Sequence, residues 1–280
     1  MKTGLILFFG IFIVFSLLFY VGKINWHQYV TTRTDGLVTK SVAVPGQFNP
    51  FTATHDLPEV VQRYFLAVLE EGAPLIRSVS LQQTGGFRAK PELTTFAPMR
   101  AQQTFVSEPR GFVWEAEITL FPGVVISVCD SLLAGDAAMQ ARLLGVIPVV
   151  KAETTRELTE GALMRVLAES VWMPTSLLPQ QGVSWRATGP DKAEASITAS
   201  GVTVTLEFTF NAAGEVVSVY SPARYREDKG RFVATPWGAR LSDYVQIGPY
   251  RVPSKGEVYW LTEQGEFLYW RAVIHDFEFE

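Results

Sequence analysis

The chain has 280 residues, 48% of them hydrophobic and 19% charged, with a formal net charge of −4. Outside residues 1–23, which hold Lys2 and Lys23 and no acid, 22 basic residues face 28 acidic ones, so that part has no electrostatic pull on nucleic acid or anionic headgroups. The single cysteine, Cys129, excludes an intramolecular disulfide and any multi-cysteine metal centre, and its setting in VVISVCDSLL marks a small buried apolar residue.

Gly4–Gly22 is apolar and uncharged, and its nineteen residues at about 1.5 Å each nearly match a hydrocarbon core of about 30 Å. The exit, Phe19-Tyr20-Val21-Gly22-Lys23, carries no small-x-small cleavage site, and no cysteine follows for lipoprotein processing. Residues 1–23 are therefore expected to form an uncleaved single-pass anchor. Lys23, Arg33 and Lys40 after the span lean against export, but so short a leading tail reads as a signal anchor. The expectation is a bacterial inner-membrane protein with its domain on the extracytoplasmic side. Residues 24–54, polar and broken by Gly36, Pro45, Gly46 and Pro50, read as a tether.

A single domain is expected over 55–280. Asp56–Leu69 reads as a helix: Asp56 caps it, Pro58 fits the first turn and Gly72 suits the C-terminal cap. Leu57, Val60, Val61, Tyr64, Phe65 and Val68 form its apolar stripe. From Ile76 the period changes to two, and the strands Ile76–Arg88, Arg100–Ser107, Arg110–Phe121, Val124–Ala134 and Ala137–Leu144 follow one another across short turns. Connections this short favour antiparallel neighbours.

Leu158–Pro179 then interrupts the strands as a helix that Thr154 or Thr159 caps and Pro174 ends. Leu163, Val166, Leu167 and Val171 make its inner stripe, and Arg165 and Glu169, four apart, pair on one face. Strands resume at Val183 and run to Phe279. The fold class is α+β: a large curved antiparallel sheet of about a dozen strands, covered by two main helices, plus the N-terminal transmembrane helix.

The succession of strands with helices set against them resembles the half-barrel of bacterial outer-membrane lipoprotein carriers and receptors, which implies a curved sheet holding an acyl chain. LPEVVQRYF (57–65), GFVWEAEI (111–118), LAESVWMPTSLLP (167–179), TPWGARLSDY (235–244), RVPSKGEVYW (251–260) and YWRAVIHDFEFE (269–280) resemble an uncharacterised bacterial family, one of the domains of unknown function. That resemblance covers nearly all of 55–280 and implies no established activity.

Among the polar residues, Arg165 and Glu169 stand out, and Arg240, Asp243, Glu257 and Arg271 on neighbouring strands are candidates to join them. That cluster would bind a headgroup in the concave cavity, act as acid and base, or hold the fold as salt bridges. Trp114, Trp172 and Trp260 are candidates to line a cavity for an apolar chain, beside their ordinary role as core. His275 as a base would need Asp276, which strand alternation sends to the opposite face. No nucleophile elbow, P-loop, dinucleotide glycine pattern or HExxH occurs, so no catalytic residue, metal ligand or cofactor is assigned. The function expected is non-catalytic binding of a lipid or other apolar ligand by a membrane-anchored protein. The rivals are an envelope scaffold with a solid core and a hydrolase or isomerase using the Glu/Asp/Arg cluster. Protein partners are not indicated.

Overall fold

Thirteen strands form one continuous antiparallel sheet, and the order in which they are laid down explains the rest of the architecture. A computed structural model describes residues 2–152, 154–228 and 230–280, with the side chains of residues 2–12, 14 and 15 outside that description. Strands β1 (Ser78–Phe87), β2 (Ala97–Val106), β3 (Gly111–Phe121), β4 (Val124–Leu133), β5 (Asp136–Leu143) and β6 (Ile147–Ala152) meander out to one edge. The chain then crosses to the other edge and returns through β7 (Ser184–Gly189), β8 (Lys192–Ala199), β9 (Val202–Phe210), β10 (Val216–Asp228), β11 (Arg231–Ile247), β12 (Tyr250–Thr262) and β13 (Gly265–Phe279). The last strand pairs with the first, from Val79↔Phe279 to Phe87↔Trp270. At that seam the strands leave no room for a side chain at Gly85, where a Cβ would lie 2.0 Å from the Arg271 carbonyl oxygen. A twist of roughly 20° per strand curls a sheet this wide, giving it a concave and a convex face.

Of the four α-helices among the described residues, α1 (Lys2–Lys40), α2 (Pro50–Thr54), α3 (Glu59–Val68) and α4 (Arg156–Glu169), the last makes the crossing between the sheet edges. Its N-cap is Thr155, whose hydroxyl accepts from the Leu158 N–H, rather than the expected Thr154 or Thr159. Thr154 instead donates to the Ala137 carbonyl at 2.8 Å. The inner stripe Leu163, Val166, Leu167 and Val171 is buried against the concave face. The α-helix stops at Glu169, short of Pro174, and 3₁₀ turns at Ser170–Trp172, Pro174–Leu177 and Pro179–Gln181 build the corner. That corner is fastened by the Ile76 N–H to Thr175 Oγ1 (2.9 Å) and by Arg110, which donates to the Ser176 carbonyl at 3.2 Å.

Helix α3 closes one end of the half-barrel. Leu69 bridges to Tyr250, the Glu70 N–H donates to the Pro249 carbonyl, and Tyr64 and Phe65 pack on Phe210 and Trp185. Pro58, not Asp56, is its N-cap, with no side-chain cap bond, while Asp56 pairs with His55 in solvent.

Residues 24–40 are helical where the sequence pattern suggests an irregular tether. They continue α1 along the convex face, where Trp26, Val30 and Leu37 bury against Val106, Val113 and Cys129. Arg33, on the same stripe, donates to Ser131 Oγ at 3.0 Å and pairs with Asp136 at 3.1 Å. Among the described residues no helix is long and apolar enough to cross a membrane, and the expected span Gly4–Gly22 falls largely on side chains outside that description.

Candidate functional site: an apolar cavity over a buried charged network

The concave face is not filled from end to end. Beyond α4, on the side away from α3, a cavity of about 550 Å³ lies between the two halves of the sheet. One wall is Trp114, Ile118, Ile126, Val128 and Ala141, from β3 to β5; the other is Trp237, Val258, Tyr269 and Trp270, from β11 to β13. Alternation places these residues inward, except at the consecutive pair Tyr269 and Trp270, which a register slip between β12 and β13 lets line the space together. Leu120 and Val149, also in the lining, are 45% and 51% exposed and mark its mouth, beside the exposed Phe121 of the β3–β4 hairpin.

On the side of β3 to β5, polar groups enter where α4 meets the sheet. Arg165 of α4 donates from Nη1 to Asp130 at 2.7 Å and from Nε to Glu169 at 2.8 Å, and its guanidinium lies over Phe112 (4.7 Å) and Trp114 (5.1 Å). Gln103 Nε2 donates to the second Glu169 oxygen, Gln83 Nε2 donates to Gln103 Oε1, and Trp114 Nε1 donates to Gln83 Oε1, each at 2.8 Å. The side chains of Arg165, Glu169 and Asp130 retain only 15%, 17% and 22% of their exposure. Burial raises the Glu169 carboxyl above the usual carboxylate range, against the opposing pull of Arg165 and Gln103. Burial likewise works against the Arg165 charge, but Glu169 and Asp130 outweigh it and raise its pKa.

A second guanidinium, Arg224, lines the cavity from β10, donating from Nε and Nη2 to the Gly161 carbonyl of α4. The register slips between Ser221 and Arg224, so Ser221 faces Trp237 and Arg224 faces Thr235, all on the inner side. Neither Arg224 nor the partners Asp130, Gln103 and Gln83 stand out in the sequence. Helical i, i+4 spacing exposes the Arg165–Glu169 pair, but cross-strand partners need the register, and a bulge hides Arg224.

Of the candidates from sequence, Arg165, Glu169 and Trp114 meet at this cavity. Trp260 flanks it, stacked on Tyr269 at 6.1 Å and lying 5.4 Å from the Arg224 guanidinium. Trp172 is structural: it is 2% exposed, packs on Phe105 and donates to the Pro253 carbonyl at 3.0 Å. Arg240, Asp243, Glu257 and Arg271 do not join the network: strand alternation puts Arg240, Glu257 and Arg271 on the convex face, and Asp243, with φ +55°, breaks the alternation and turns out to Lys255 there. There Arg240 sits opposite Glu257 and Glu257 opposite Arg271 in register, a charge ladder along an open groove of about 590 Å³. Arg240 also forks onto Glu266, and Asp243 pairs with Lys255 at 2.6 Å.

His275 and Asp276 correct the alternation argument in the other direction. Asp276 has φ +53° and lies in the irregular stretch of the β1–β13 pairing, which turns it back onto the face of His275. A carboxylate only accepts, so His275 Nδ1 donates to Asp276 Oδ2, while Nε2 and the Thr84 hydroxyl share a hydrogen bond, both at 3.0 Å. Thr84 sits mid-strand on the open convex face. It lies opposite Arg100 and Val273 in register, in an open groove of about 530 Å³ that Arg100 and His275 also line.

No curated protein matches the sequence. Among solved structures, a LolA superfamily protein from Nitrosomonas europaea is 11% identical with a TM-score of 0.41, the match covering 79% of this chain and 92% of that one. A DUF1329 family protein from Desulfovibrio piger is 10% identical with a TM-score of 0.40, covering 83% and 94%. The model of a family of unknown function, DUF6920, matches residues 55–279, and the chain belongs to that family.

Proposed function

We propose that the protein is a membrane-anchored, extracytoplasmic, non-catalytic binding protein for a lipid or other apolar ligand, held in the concave cavity. The observation that carries this reading is the cavity of about 550 Å³, walled by aliphatic and aromatic side chains and open at one end. It is of the size that small-ligand sites have, roughly 300–1,000 Å³. Burial contributes about 0.8 kcal/mol per methylene, so ten methylenes give roughly 8 kcal/mol before the cost of immobilising the chain. A scaffold with a solid core would leave no such space.

The course of α1 supports the membrane part of the reading. Gly22 packs against Val146 of the β5–β6 hairpin and Leu37 against Gly111 at the far end of the sheet. The β5–β6 and β3–β4 hairpins share the end at which the cavity opens. A span through residues 4–22 would therefore leave the domain on the mouth side and bring the opening to the lipid surface.

The test is to incubate the purified full chain with a bacterial lipid extract, repurify it and identify bound molecules by mass spectrometry. The variant Ala141→Phe, which places a ring in the cavity wall, is the control. Stoichiometric lipid on the wild type and little on the variant is the expected result. No lipid on either would refute the reading.

A further inference from the structure

Among the described residues two guanidinium groups line the cavity, and one of them is neutralised. Arg165 faces two carboxylates at 2.7 and 2.8 Å. Arg224 has none among the described residues: its Nε and Nη2 converge on the single Gly161 carbonyl at 3.3 and 3.0 Å, and its Nη1 makes no hydrogen bond there. The group is nonetheless held in place, 4.7 Å from the Trp237 ring and 5.4 Å from that of Trp260. A purely hydrocarbon ligand would cover this cation and offer it nothing. A carboxylate or phosphate would supply the charge-assisted acceptors that a planar guanidinium fits.

We propose that Arg224 receives the anionic head of an acyl-chain amphiphile, whose tail lies along Ile118, Ile126, Val128 and Val258. The assignment rests on the apolar-ligand reading and adds the chemistry of the head. Arg224 reaches this position only through the slipped register at Ser221–Arg224, which turns a strand position inward. With Arg165 matched by two acids, Arg224 is the site at which an anion improves the charge balance of the cavity.

The experiment titrates the full chain, kept soluble in amphipol, with palmitate, hexadecyl phosphate and hexadecanol, following tryptophan fluorescence. The expected result is that at least one anionic ligand binds ten- to hundredfold more tightly than the alcohol, on the order of one charge-assisted hydrogen-bonded contact. Arg224→Leu should remove that preference, and which anion leads on the wild type separates a free acid from a phosphate head. Equal binding of acid, phosphate and alcohol by the wild type would overturn the assignment and leave the apolar-ligand reading intact. Binding of none would overturn both. The wild-type comparison decides the matter even where Arg224→Leu fails to fold, and Arg224→Gln, which keeps a donor for Gly161, supplies the second variant.

Discussion

Arg165 sits between Asp130 and Glu169 in an apolar wall, and desolvation makes each member depend on the others. Arg165→Met leaves two carboxylates buried without their cation, and the expected loss is about 3–5 kcal/mol at pH 7 by urea denaturation. A loss below about 1 kcal/mol would show that solvent screens the trio like a surface pair. Glu169 carries the pH signature. Burial raises its folded carboxyl pKa, so its contribution is fully present below the ordinary carboxylate pKa and is lost as pH rises through the raised value. Glu169→Gln is neutral throughout, so the wild type's stability relative to this variant should fall from acid to neutral pH. A relative stability that instead grows with pH would mean that the ionised form is favoured. The pairing of Arg165 with Glu169 is legible as i, i+4 spacing on a helix. The mistaken grouping with Arg240, Glu257 and Arg271 arises because adjacency of strands says nothing of which face a residue takes, and bulges reset the count at Arg224 and Asp276.

At the scale of elements, most strands and both inner helices follow from period-two and period-3.6 patterns, and α4 is where the periodicity changes, but the edge strand β6, six residues with Pro148 near its start, is not among those the pattern marks. The helical course of 24–40 is also misread. Trp26, Val30, Arg33 and Leu37 recur at helical spacing, but threonines and Gly36 obscure the signal, and the stripe has no inner core to join. It packs outside the sheet, over Cys129. Burial pushes the Cys129 thiol up to about 12, and neighbouring Asp130 adds to this, which removes its thiolate at neutral pH. The cysteine therefore reports on α1. In the folded wild type it should resist iodoacetamide at pH 8. Trp26→Ala, which cuts the anchor of the outer cluster, should raise the labelling rate at least tenfold while the inner core stays folded by circular dichroism. Fast labelling of the wild type would show that α1 is not docked.

For the whole molecule, the pairing of β13 with β1 puts the chain's two meanders side by side and leaves α4 to span the open edges. The seam, the curl and the single crossing helix produce a concave space; α3 stops one end, and the other stays open between walls from both meanders. A large antiparallel sheet with helices set against it was legible from short turns and amphipathic strands, and the half-barrel only as what the family resemblance implies. The volume of the cavity and the direction of its mouth depend on strand register and on the packing of α1, which no local pattern specifies. The central claim is that an acyl chain occupies this space. Photo-crosslinking the full chain with a palmitate analogue that carries a diazirine at mid-chain, followed by peptide mapping, tests it most directly. Adducts concentrated on the inward residues Ile118, Ile126, Val128, Met139 and Val258, and competed by unlabelled palmitate, are the predicted result. Adducts confined to the convex groove around Arg240 and Lys255, or to exposed hairpins, would contradict the account.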